Sequence, residues 1–206
     1  MIRATKRMVC SAILLAPVAA GAMGLNQKEA QLHFQTAQRC DVQGQYDCAM
    51  EHYWKALVNA RLAKADAATM SMLTYNYGRT AGYTCRLDVA EKYLLESLNM
   101  EAAVSGPDSG VSTKRLFELA RFYFDQAQYD KAASYYKDGL PRVEKLGAAD
   151  SDPVTFADAV DEYAVALSNS GNAAEASAQR AKASDVRQRH PDAKAVFVPT
   201  RYKCNR

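Results

Sequence analysis

The stretch "LFELARFYFDQAQYDKAASYYKDGL", residues 116 to 140, reads as a helix, a short turn and a second helix. Gln128-Tyr129 closes the turn. Ala120, Ala132 and Gly139 are small residues set among large ones, and Tyr129 and Tyr136 lie one on each side of Ala132. Two antiparallel helices approach closely only where their facing side chains are small, so this spacing marks the crossing points of a helical hairpin.

The same spacing recurs in three other places. Aligning "AQRCDVQGQYDCAMEHYWKAL" (37 to 57), "GRTAGYTCRLDVAEKYLLESL" (78 to 98), "ARFYFDQAQYDKAASYYKDGL" (120 to 140) and "AVALSNSGNAAEASAQRAKAS" (164 to 184) gives three small-residue columns. They are Ala37, Gly78, Ala120 and Ala164; Ala49, Ala90, Ala132 and Ala176; and Ala56, Ser97, Gly139 and Ala183. Larger residues fill the space between: Tyr46, Leu87 and Tyr129 open the second helices, and Tyr53, Leu94 and Tyr136 lie one turn past the alanine. The fourth block keeps its alanines but has Ala173 and Arg180 where the others have large apolar residues, as a capping repeat would.

The pattern resembles the tetratricopeptide repeat (TPR), whose small residues, turn and aromatic positions match residues 116 to 140 most closely, and the resemblance extends over residues 27 to 190. Equivalent alanines are 41, 42 and 44 residues apart, longer than the common repeat of about 34, so the chain is similar to the long-repeat, kinesin light chain-like variety, in a bacterial-type exported protein. The resemblance implies an all-α, right-handed α-solenoid of about four helical hairpins. Eight helices and essentially no sheet are expected. Asn26 with Glu29 reads as a helix start, 105 to 112 and 147 to 153 as loops, and Pro141 as a residue that ends or kinks its helix.

Domain organisation is simple. Residues 1 to 22 carry Arg3, Lys6 and Arg7, an uncharged stretch broken by Pro17, and the small-x-small triplet Ala20-Gly21-Ala22, the layout of a secretory signal peptide. Residues 23 to 190 form the TPR-like domain and 191 to 206 a C-terminal tail. The run from Met8 to Ala22 is short for a spanning helix, so the mature chain is expected to be exported, periplasmic or secreted, without an integral membrane segment. The whole chain has 26 Lys+Arg against 23 Asp+Glu, and three of the basic residues lie in the leader, so the mature chain is balanced. A balanced chain lacks the basic excess of a nucleic-acid binder.

Export would place Cys40, Cys48, Cys85 and Cys204 in an oxidising compartment. Cys40 and Cys48 flank the first hairpin turn, where the α-carbons can come within about 6 Å, and a disulfide clip is the preferred role. Free thiols are the alternative. A metal site would recruit His33 and His52, but His33 lies about 10 Å back along its helix from Cys40, too far to close a four-ligand shell. For Cys85 and Cys204, the tail spans at most about 45 Å and must cross about four helix spacings of 8 to 10 Å. The reach barely suffices, and an intermolecular bond or a free Cys204 stands beside it.

No nucleophile or phosphate-binding motif is present, and three histidines are the whole histidine complement. Asp158, Asp161 and Glu162 share a helix face, expected as a solvated acidic surface in preference to an acid/base pair or a calcium site. No enzyme activity, cofactor or metal is therefore expected. The resemblance implies instead that the first helices line a concave groove that binds polypeptide. By position, that groove would hold Phe34, Tyr75 and Phe117, with Gln38, Arg79 and Arg121 one turn on, and Asn76, Tyr83, Lys114 and Phe124 nearby. Paired rings and guanidinium groups suit an extended segment with apolar and acidic side chains. A chaperone-type carboxylate clamp is not implied, because aromatic residues stand where it needs lysine. The apolar 195 to 199 stretch is a competitor for the groove in cis. The leading function is an exported, non-enzymatic scaffold in envelope assembly or secretion. Its alternatives are a structural homo-oligomer, an accessory subunit of an envelope enzyme, or an exported metal binder.

Overall fold

The computed structural model describes residues 16 to 204 except 197, with side chains from residue 23. Most of the expected leader, and its triplet's side chains, lie outside the described residues. Four antiparallel helical hairpins follow one another: α1 (Ala16–Val42) with α2 (Tyr46–Leu62), α3 (Ala67–Tyr83) with α4 (Leu87–Ser105), α5 (Gly110–Asp125) with α6 (Tyr129–Lys145), and α8 (Pro153–Asn169) with α9 (Ala173–Arg189). A single turn, α7 (Ala148–Ser151), lies between the last two hairpins. Each hairpin packs on the next, through α2 on α3, α4 on α5 and α6 on α8, so the described residues form an all-α solenoid.

The small-residue columns explain the pairing. All twelve residues are buried, and Gly78 shows how tight the crossing is: a Cβ there would stand 2.9 Å from the Leu94 backbone nitrogen and 3.0 Å from Tyr93 Cβ. Tyr53, Leu94 and Tyr136 are buried beside the contacts. Each hairpin turns in one way. Gly44, Cys85, Ala127 and Gly171 all take positive φ, and in each turn the next residue's N–H reaches a carbonyl five residues back, as Gln45 does to Cys40 and Arg86 to Ala81. The first helices of the later hairpins are capped by side chains, with Asp66 accepting from the Thr69 N–H, Ser109 from Ser112 and Asp152 from Thr155.

Four local expectations change. Helix α1 runs through Asn26, because the alanine-rich residues before it have high helix propensity and need no cap there. The 147 to 153 loop winds into α7, so nine helices are present among the described residues, not eight. The 105 to 112 loop shrinks to the residues before Gly110, where Ser109 starts α5. Of the two outcomes expected at Pro141, an end or a kink, the end does not occur, since α6 continues to Lys145.

Disulfides join Cys40 to Cys48, with α-carbons 5.9 Å apart, and Cys85 to Cys204, 5.5 Å apart. The second bond is made within the chain and carries the tail from the end of α9 back across α8 and α5 to the turn after α3. Tyr202 is buried in the main core.

Candidate functional site

The face built from the first helices α3, α5 and α8 is organised around Glu118, which is buried. Its carboxylate accepts hydrogen bonds from the Tyr75 hydroxyl at 2.8 Å, the Arg121 guanidinium at 2.8 Å, and the Tyr202 hydroxyl. Burial alone would raise its pKa, but Arg121 and then the Tyr202 and Tyr75 hydroxyls outweigh that and hold the carboxyl below its ordinary range. Arg115 stacks 3.6 Å above the Tyr75 ring. Arg79 is ion-paired with Asp41 and lies against the Tyr75 and Tyr83 rings at 5.9 and 5.5 Å.

The tail is seated on this face. Tyr202 stacks on Tyr83 at 4.8 Å and meets Phe122 edge-on at 5.3 Å. Gly82 makes the room: a Cβ there would lie 2.4 Å from the Tyr202 ring. The Tyr202 N–H donates to Asp125 at 2.7 Å, and Arg201 bridges Asp125 and Glu162. Burial, then Glu118, raises the Tyr202 pKa far above the ordinary tyrosine value, so the hydroxyl stays a donor.

Beside the tail a cavity of about 550 Å³ remains open. Its floor is Phe117, Val143, Phe156 and Ala159, its rim carries Lys114, Asp152, Asp158 and Glu162, and Val198, Pro199 and Arg201 of the tail form one wall.

The ten positions expected in the groove separate into groups. Tyr75, Arg79, Tyr83 and Arg121 converge around the tail, while Lys114, Phe117 and Arg121 border the cavity. Phe124 packs on Tyr129 and lies under Arg201. Asn76 is half-buried, its carbonyl accepting from Thr80. Gln38 is exposed, and Phe34 packs on Tyr53 and lines a separate cavity of about 490 Å³ between α1 and α3. The two guanidinium groups meant for a ligand's carboxylates are engaged inside the chain, Arg79 by Asp41 and Arg121 by Glu118. The acidic face of α8 is likewise not simply solvated: Arg187 takes Asp158 and Asp161, and Glu162, half-buried, takes Arg201 and the Tyr136 hydroxyl.

Glu118, Asp125 and Tyr202 had no place in the sequence-based groove. A charged residue inside the apolar run "LFELARFYF" was the available signal for Glu118. Tyr202 had none, because its partners lie 77 or more residues away in the chain.

No family model matches the chain, and no curated protein is detectably similar to it in sequence. Solved structures are similar in fold. BtubC from P. vanneervenii superposes with a TM-score of 0.71 at 17% identity, over 83% of this chain and 68% of that one. A Podosopora anserina protein of kinesin light chain type, with nearly identical TPR-like repeats, superposes with a TM-score of 0.67 at 15% identity, over 79% of this chain and 77% of that one. The fold is that of TPR-like helical repeats. Such a fold presents side-chain surfaces on rigid helices, and no helix among the described residues is long and apolar enough to cross a membrane.

Proposed function

We propose that this chain is an exported, non-enzymatic scaffold that binds a polypeptide segment on the face of its first helices, in envelope assembly or secretion. One observation carries the proposal: that face already holds a polypeptide segment in cis. The described residues of the tail, from 191 to 204, lie outside any helix, and the tail is recognised by the means a bound peptide would use, a main-chain hydrogen bond to Asp125, a charge bridge at Arg201 and a buried ring at Tyr202. The open cavity continues the same face and has the size and apolar floor of a site for a few residues.

A photoreactive amino acid placed at Lys114 or Ala159, on the cavity, should form one discrete polypeptide adduct in the producing cell. The same group at Lys137, exposed on the second helix of the third hairpin, should not. Adducts absent at both cavity positions, or equal at all three, would remove the groove as the binding surface, and an adduct of two copies of this chain would favour the structural oligomer. Export is checked separately: N-terminal sequencing of the mature protein should begin near Met23, and a start at Met1 would exclude cleavage.

A further inference from the structure

The charge left over around the cavity decides what kind of segment it receives. Arg201 alone serves Asp125 and Glu162, and Arg187 alone serves Asp158 and Asp161. Asp152 accepts from the N–H groups of Thr155 and Val196. Arg121 is ion-paired with Glu118. Lys114, exposed on the α5 rim, makes no ion pair among the described residues and is the remaining cation. The residues lining the cavity carry three carboxylates, Asp152, Asp158 and Glu162, and three cations, Lys114, Arg121 and Arg201. All three carboxylates belong to α8 or its cap, whereas Lys114 and Arg121 lie on α5, so the negative charge is concentrated on the α8 side.

The tail shows how that side is used. Its Arg201 sits across two carboxylates while the next residue, Tyr202, puts a ring into the core and its hydroxyl on a third. A cation adjacent to a bulky ring is the pair this face accommodates. The cavity repeats the arrangement on a free surface, with Phe117 and Phe156 as its floor and Asp152 and Asp158 on its rim. Asp158 is 61% exposed even though Arg187 pairs with it, and an exposed pair is worth little, so an incoming cation can compete for its charge.

We propose that the cavity recognises an extended segment in which Lys or Arg alternates with bulky apolar or aromatic side chains, the cations directed to the α8 carboxylates and the rings to Phe117 and Phe156. This rests on the polypeptide-binding reading above and assigns the ligand's sign, opposite to the acidic segment that the sequence alone suggested.

The test uses the full mature chain with both disulfides intact and two short synthetic peptides, one with arginines interleaved with tyrosines and its twin with glutamates in place of the arginines. Fluorescence anisotropy should show the arginine peptide binding at low salt and weakening as salt is added, because exposed charges are screened. The glutamate twin should bind about tenfold more weakly. Asp158→Asn with Asp161→Asn, both on the surface, should weaken the arginine peptide by about tenfold and leave the circular dichroism spectrum unchanged. Equal binding of the two peptides, preference for the glutamate twin, or no binding of either would overturn the assignment of sign. If photo-adducts persist at Lys114 or Ala159 in that event, only the ligand chemistry falls; if they are missing too, the groove itself falls.

Discussion

Ala127 occupies a backbone position that two of the other three hairpins give to glycine. Its φ is +56°, matching Gly44 at +70° and Gly171 at +82°, and a side chain in that region costs about 1 to 2 kcal/mol. Ala127 is exposed, so its methyl group gains little from burial to offset the strain. Ala127→Gly should therefore raise the denaturation midpoint, by up to about 1 kcal/mol, in urea unfolding. Cys85 stands in the same conformation, but there the side chain carries a disulfide. Glu118 is the opposite case, a residue whose charge the fold needs. Glu118→Gln would leave Arg121 buried without its counterion and set amide hydrogens against the Tyr75 and Tyr202 hydroxyls, a loss of about 3 to 5 kcal/mol. Because its folded pKa lies below the ordinary value of 4.5, its stabilisation is complete above about pH 4.5 and is lost as pH falls through the folded value. Acid unfolding of the wild type should show that limb, and the glutamine variant should flatten it. Nothing in the sequence distinguishes Glu118 from a solvent-facing glutamate except its apolar neighbours, since its partners Tyr75 and Tyr202 come from other elements.

At the scale of single elements the sequence is more informative. The small-residue columns and the openings at Tyr46, Leu87, Tyr129 and Ala173 coincide with helix contacts and helix starts, because a close crossing tolerates few residue types and so leaves a pattern. Helix ends governed by weak local preference were less legible, as α7 and the start of α1 show. The first hairpin adds a pair that the repeat pattern does not contain: His33 and His52 face each other across α1 and α2 with Nδ1 atoms 3.0 Å apart. One ring must donate and the other accept, so the contact requires at least one neutral imidazole. Burial, and then the proximity of His33, lowers the His52 pKa from its ordinary 6.5. The unfolded chain then binds the proton more readily, so stability should decline as pH falls below about 6.5 and level off below the folded value. Thermal midpoints measured from pH 8 down to about 5 should show this decline in the wild type and lose most of it in His52→Gln; an unchanged slope in the variant would assign the effect to other groups.

Across the whole molecule, the tail changes how a repeat array holds together. In a simple solenoid each hairpin touches only its neighbours, and unfolding can begin at either end and spread. Here the last residues return from the fourth hairpin to the second, tying Asp125 and Glu162 through Arg201, filling the space beside Gly82 with Tyr202, and closing on Cys85. The fourth hairpin has the greater need of such a tie. Its outer helix α9 buries only Ala176, Ala183 and Val186, too little apolar area to hold a terminal element firmly. The Cys85–Cys204 bond closes a sequence separation of 119 residues, and restricting the unfolded chain over a loop of that size contributes about 5 kcal/mol. Replacing both cysteines with serine should lower stability by that amount. It should also change the character of unfolding: with the bond intact, hydrogen exchange in α8 and α9 should follow the global opening, whereas without it α9 should exchange first, and α2 and α3 later. Simultaneous exchange of all four hairpins in the serine variant would mean that Tyr202 and Arg201 hold the tail in place without the covalent bond.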